Sequence, residues 1–358
     1  MIFANAFRRD IKCSDPRNKP PQSLLPWRLL MAGFALLGFV LLHLVYRCYS
    51  CTQTLQPIYS TGGIQPGQIH NLVTFGDSYT DVTAFTSHGI TAWPVYAADY
   101  ANISLYPFAK AGGVCSQAIT PNPFPDVNIV DTQLPDYFNS SLNLNMSETL
   151  FTIWIGTNDL GVLGLLIGNN APGASVVDTS ACAVNVIKTL YDTGARNFLL
   201  QQVIPLNLVP IYAADSYPNR YWTAPRNATE WELVTTQYSC ATTALSIFML
   251  RDLVATLPGA HVGLFNTYDL FSDIYENPQN YLNGTLPLSV TVPARSCIFQ
   301  TNESITDTGN CTEAEGSDRD SFMWWDELHP SEQTGRSLAA QIAEVITTGK
   351  NKWTTWLS

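Results

Sequence analysis

Four short apolar runs, at 71–75, 150–155, 197–204 and 261–266, recur along the chain with longer helical patterns between them, at 93–101, 181–193 and 230–256 and again after Pro330. The runs are nearly continuous in apolar residues rather than alternating, which marks strands buried on both faces. Strands of that kind separated by helices predict a parallel sheet covered on each side, hence one three-layer α/β/α domain over 71–350. Reactive groups in such sheets collect at the C-terminal ends of the strands, so residues remote in sequence can share one pocket.

The chain before residue 71 has a different character. Residues 1–28 carry Arg8, Arg9, Lys12, Arg17, Lys19 and Arg28 against Asp10 and Asp15, a basic tail. An 18-residue run at 29–46 follows, with His43 its one strongly polar member. At about 1.5 Å per residue it matches a hydrocarbon core of roughly 30 Å. Arg47 is the sole basic residue between this run and Lys110, so the tail is expected in the cytoplasm and the rest outside or in a lumen, as in a type II signal-anchor. The alternative is a signal peptide cut after Cys48 or Ser50, with secretion; signal cores of about 7 to 15 residues and short leading segments argue against it. Residues 47–70, with Pro57, Gly62, Gly63, Pro66 and Gly67, read as a stalk.

Seven N-x-Ser/Thr sequons, at Asn102, Asn139, Asn145, Asn227, Asn283, Asn302 and Asn310, all follow the apolar run, which predicts a glycosylated surface in the secretory pathway. After Arg47 the chain holds 11 Lys/Arg against 27 Asp/Glu, a formal charge of about −16 that excludes nucleic acid and anionic lipid as partners and favours a neutral substrate. Cys115, Cys182, Cys240, Cys297 and Cys311 fit an oxidising compartment, and one of the five is left over unless a membrane-proximal cysteine joins it. Cys297 with Cys311 is the favoured bridge, stapling a polar, sequon-rich insertion at 283–322. Cys48 and Cys51 have no second pair with which to hold zinc, so no metal or other cofactor is expected.

Four segments carry candidate chemistry: Gly76-Asp77-Ser78 after the first run, Ala111-Gly112-Gly113, Gly156-Thr157-Asn158-Asp159 after the second run, and Asp326-Glu327-Leu328-His329 near the end. Ser78 is the candidate nucleophile and needs a base, His329, whose tautomer Asp326 would fix. Attack on an ester carbonyl creates an oxyanion, for which the N–H groups of Ser78 and Gly112 and the Asn158 amide are the candidate donors, each worth about 3 to 4 kcal/mol. Each segment alone is more often a turn or a helix cap; their order and common placement at strand ends make the combined reading the better one.

These residues resemble the SGNH, or GDSL, hydrolase superfamily, with Ser78, Gly112, Asn158 and His329 matching its namesake positions and Asp326 its acid. The run at 326–335, preceded by Trp324-Trp325, and the segments at 112–116 and 194–198 are more narrowly similar to fungal acetylesterases of carbohydrate esterase family 16. The resemblance spans about 70–348. It implies a flavodoxin-like fold, no metal, and removal of acetyl groups from acetylated hemicellulose oligosaccharides or other small esters. It leaves open which of Gly112 and Gly113 donates.

Trp93, Trp324 and Trp325 are candidates to stack on sugar faces, although a place in the pocket wall or core is the better expectation for any one of them. Tyr212, Tyr217, Tyr221 and Trp222 form a second aromatic cluster with the same ambiguity, and Lys110 is either a source of positive potential or simply solvated. Two rival functions stand beside the O-acetyl esterase: a GDSL-type lipase or phospholipase, and a non-catalytic cell-surface glycoprotein that binds glycans.

Overall fold

In the computed structural model the apolar runs form the centre of one sheet; the structure describes residues 62–307 and 309–358. The expected tail and membrane span, at 1–46, lie outside the described residues. The strands are β1 (Asn71–Gly76), β2 (Ser104–Pro107), β3 (Thr149–Trp154), β4 (Asn197–Gln201) and β5 (His261–Phe265), then a separate pair β6 (Arg295–Ile298) and β7 (Asn310–Glu313), and finally β8 (Thr354–Trp356). The main sheet runs in the order β2-β1-β3-β4-β5-β8. Its first five members are parallel, the doubly wound order of flavodoxin-like folds, in which the order of strand addition reverses at the β1/β3 boundary.

The helices are α1 (Trp93–Ala101), α2 (Leu134–Asn139), α3 (Thr157–Leu160), α4 (Val176–Asp192), α5 (Ala228–Val254), α6 (Thr267–Glu276) and α7 (Glu332–Thr348). Side chains leave a strand alternately to its two faces. Leu72, Leu150, Leu199 and Phe265 therefore meet Trp93 of α1 and Leu338 of α7. Val73, Phe75, Phe151, Ile153 and Phe198 meet Val184 and Ile187 of α4 on the other side. Each fully buried Phe among them contributes about 1.5–3 kcal/mol. Helix starts are written locally: Ser175 and Asp178 form a capping box on α4, and the Ser331 hydroxyl accepts the Thr334 N–H at the start of α7.

The fold departs from expectation at the margins. β8 pairs antiparallel with β5, so the domain continues past residue 350 and the sheet is not wholly parallel. The last part of the expected stalk is already domain: Ile64 and Ile69 are buried in the core, where two isoleucines five apart leave no period in the sequence. By length and composition α5 is apolar enough to cross a membrane, yet Thr235, Ser239, Thr242 and Ser246 are buried and the helix packs along α4. Within 283–322, β6 and β7 form an antiparallel hairpin bridged by Cys297–Cys311, and the N–H groups of Ala294 and Arg295 donate to the carbonyls of Trp324 and Trp325. Cys115 pairs with Cys182, and Cys240 is also disulfide-bonded. All seven sequon asparagines are exposed.

Candidate active site

Ser78 lies just beyond β1, in a turn closed by Asp77: its carboxylate accepts the Tyr79 N–H at 2.9 Å and its carbonyl accepts the N–H groups of Thr80 and Asp81. From that turn Ser78 Oγ comes within 2.8 Å of His329 Nε2. His329 Nδ1 is 2.9 Å from Asp326 Oδ1 and 3.2 Å from Oδ2. The short spacing of Asp326 and His329 works because Oδ1 also accepts the N–H groups of Leu328 and His329, at 2.9 and 2.8 Å, curling the loop about its own carboxylate. Burial pushes the Asp326 carboxyl up, but His329, the Tyr221 hydroxyl and the Leu328 N–H outweigh it and hold the group below the ordinary range. Asp326 is thus ionised and accepts the Nδ1–H, leaving Nε2 unprotonated toward Ser78.

Tyr221 is the functional contact that motif reasoning does not single out. Its hydroxyl donates to Asp326 Oδ2 at 2.6 Å and lies 3.2 Å from His329 Nδ1. The insertion helps hold it in place: Phe299 N–H donates to the Pro218 carbonyl and Asn302 N–H to that of Thr223. Glu327 accepts from Cys297 N–H at 2.6 Å and from the Tyr217 hydroxyl at 3.0 Å. The aromatic cluster at 212–222 is the only signal of this in the sequence.

On the other side of the site, the loop after β2 engages the N–H of one of its two glycines. Ala111 N–H donates to Asp81 Oδ2, Gly113 N–H to the Lys110 carbonyl, Val114 N–H to Asn128 Oδ1 and Cys115 N–H to Asp159. Among the described residues nothing accepts from Gly112 N–H, and nothing accepts from Ser78 N–H. Gly112 has φ +78°, a conformation open to glycine at low cost. Asn158, in the first turn of α3, donates one amide hydrogen to the Gly113 carbonyl at 2.8 Å, and its second meets no acceptor among the described residues. Gly156 precedes that turn at φ +128°, and a Cβ there would lie 2.6 Å from Val203 Cγ2.

Two further carboxylates are buried beneath these loops. Asp159 accepts from Cys115 N–H and from the Thr120 hydroxyl, and burial raises it to about 6. Asp77 is raised to about 7, chiefly by burial, against the opposing pull of the Tyr79 N–H and of His329. Both positions trade electrostatic comfort for loop placement.

Trp324 and Trp325 are not stacking surfaces. Trp324 is fully buried, its indole N–H donating to the Val290 carbonyl, and Trp325 packs with Ile90 and Ala294. They precede the acid–base loop and fill the core beneath it, which is what large apolar faces do when a loop must be anchored. Trp93 is 2% exposed and forms part of the wall of a cavity of about 40 Å³ that opens beside Ser78 and His329. Phe85, Ile90, Trp154, Phe271 and Leu338 are among its other apolar walls. Lys110 pairs with Asp136 at 2.6 Å. Among the described residues no cluster of His, Cys, Asp and Glu is arranged to hold a metal.

The profile of the GDSL-like Lipase/Acylhydrolase family matches residues 72–342. An acetylesterase of Hypocrea jecorina is 25% identical over 80% of this chain and 90% of its own length. A second, from Thermothelomyces thermophilus, is 23% identical over 76% of this chain and 87% of its own. Among solved structures, an acetylxylan esterase from Geobacillus stearothermophilus covers 81% of this chain and 98% of its own, at 11% identity and a TM-score of 0.39.

Proposed function

The chain belongs to the GDSL-like lipase/acylhydrolase family and is a carboxylic ester hydrolase, and from that premise we propose that it removes O-acetyl groups from carbohydrate through an acyl-enzyme on Ser78. The observation that carries this is the unbroken chain from Ser78 Oγ through His329 to Asp326, at 2.8 and 2.9 Å. In this reading Nε2 takes the Oγ proton as Oγ bonds to the ester carbonyl carbon, and the resulting oxyanion is met by the unengaged N–H groups of Ser78, Gly112 and Asn158. The imidazolium then protonates the departing sugar oxygen. Water attacks the acetyl-serine in the second half, giving a proton to Nε2, and acetate leaves as Nε2 passes that proton to Oγ.

Two considerations support acetyl and sugar within this reading. The cavity beside Ser78 is about 40 Å³; at about 10–15 Å³ per water-sized occupant it takes roughly three heavy atoms, the size of an acetyl group. The fungal relatives carry the name acetylesterase. An acetyl group fills this space without reaching beyond it, which sets the lipase alternative second. The run at 29–46 and the exposed sequons support a glycosylated ectodomain tethered to a secretory-pathway or cell-surface membrane.

The test is an acyl-length series of p-nitrophenyl esters from acetyl to decanoyl, together with release of acetate from acetylated xylooligosaccharides. We expect acetyl to be preferred, with turnover falling steeply by butanoyl. A preference for chains beyond about eight carbons would transfer the enzyme to lipid.

A further inference from the structure

We propose that Phe124 is a sugar-binding platform at the edge of the site, on which a pyranose ring of the substrate stacks while its ester group reaches Ser78. The proposal rests on the carbohydrate reading above. An ester has two ends, and the cavity beside Ser78 and His329 receives the smaller; Phe124 is not among its walls. It stands instead against the oxyanion loop: a Cβ built on Gly112 would lie 3.1 Å from Phe124 Cδ2, so the ring flanks the glycine whose N–H is unengaged. A side chain at Gly112 would push this ring aside.

The ring is 54% exposed and makes no ring–ring contact among the described residues, so the core does not need it. It is nonetheless held. Pro123 and Pro125 flank it in the sequence Pro121-Asn122-Pro123-Phe124-Pro125, each fixing its own φ. Asn122 is buried and ties the segment down, accepting the Phe124 N–H at 2.9 Å while its amide donates to the Gly112 carbonyl at 2.7 Å and to Asn128 Oδ1 at 2.8 Å. An exposed aromatic ring on a stiff, multiply tethered segment loses little freedom when a ligand settles on it. Its face complements the C–H face of a pyranose, while the sugar hydroxyls stay in water.

The experiment compares the protein with Phe124→Ala and Phe124→Trp on an acetylated xylooligosaccharide and on ethyl acetate, which has no ring to stack. Phe124→Ala should raise KM for the oligosaccharide about 3- to 10-fold. Its kcat should hold within about twofold, its kcat/KM for ethyl acetate should be unchanged, and Phe124→Trp should restore the oligosaccharide KM. An unchanged oligosaccharide KM in Phe124→Ala, or an equal loss on both substrates, would overturn the platform. An unmodified protein that cleaves ethyl acetate but no acetylated sugar would instead remove the carbohydrate reading, and the platform with it.

Discussion

The loop at 110–116 and the loop at 323–331 face the same serine but are held by different means. The first is fixed from below by buried polar side chains, Asp81, Asn128, Asn158 and Asp159, and by the Cys115–Cys182 bridge. The second is fixed from the side, by backbone bonds to the Cys297–Cys311 hairpin, by Tyr217 and Tyr221, and by the buried Trp324 and Trp325. In the first, short amide and carboxylate side chains engage the N–H groups of Ala111, Val114 and Cys115, and that of Gly112 has no acceptor among the described residues. In the second, the Asp326 carboxylate takes its donors from its own loop and from Tyr221, and buried aromatic residues shield it.

Substitutions on the two sides should therefore fail differently. Asp326→Asn, which upsets the imidazole tautomer, should cut kcat by about 10⁴-fold with KM little changed. Asn158→Ala, which removes one donor to the oxyanion, should cost about 10² to 10³ in kcat. Equal losses, or a loss in KM alone, would erase the distinction between the loops.

The buried carboxylate under the first loop gives a stability signature. Asp159 has its pKa raised by burial from 3.8 to about 6. The folded state therefore binds the proton more tightly than the unfolded chain, and the stability this lends is present below pH ~4 and lost as pH rises through about 6. Asp159→Asn removes that loss, so relative to the unmodified protein it should gain about 3 kcal/mol between pH 4 and pH 8 in denaturant titrations. A constant difference at every pH would mean that Asp159 does not titrate in this window. Tyr221→Phe should have the smallest effect, lowering kcat/KM by about tenfold or less. A variant with unchanged kcat/KM would reduce Tyr221 to packing.

What was legible in the sequence was what short segments encode. β1, β3, β4 and β5 are runs of apolar residues, and Ser78, Asn158 and His329 sit next to them or in a compact motif, so their placement needs little knowledge of distant contacts. β2 escapes because Ser-Leu-Tyr-Pro on a sheet edge is half exposed, and β8 because Thr-Thr-Trp gains its strand character only from β5. Tyr221 reaches Asp326 across 105 positions through a tethered loop, a distance no local pattern spans. Trp324 and Trp325 mislead for the opposite reason: next to a motif, aromatic residues suggest a binding surface, whereas large apolar faces are the cheapest anchor for a loop that must not move.

The central claim is that Ser78 is an activated nucleophile. Labelling of the purified protein with a fluorophosphonate probe tests it most directly, with Ser78→Ala alongside. The account predicts stoichiometric labelling that is absent from Ser78→Ala while both proteins unfold at the same temperature. Folded protein that takes no label, or a Ser78→Ala variant that labels as well as the unmodified chain, would contradict it.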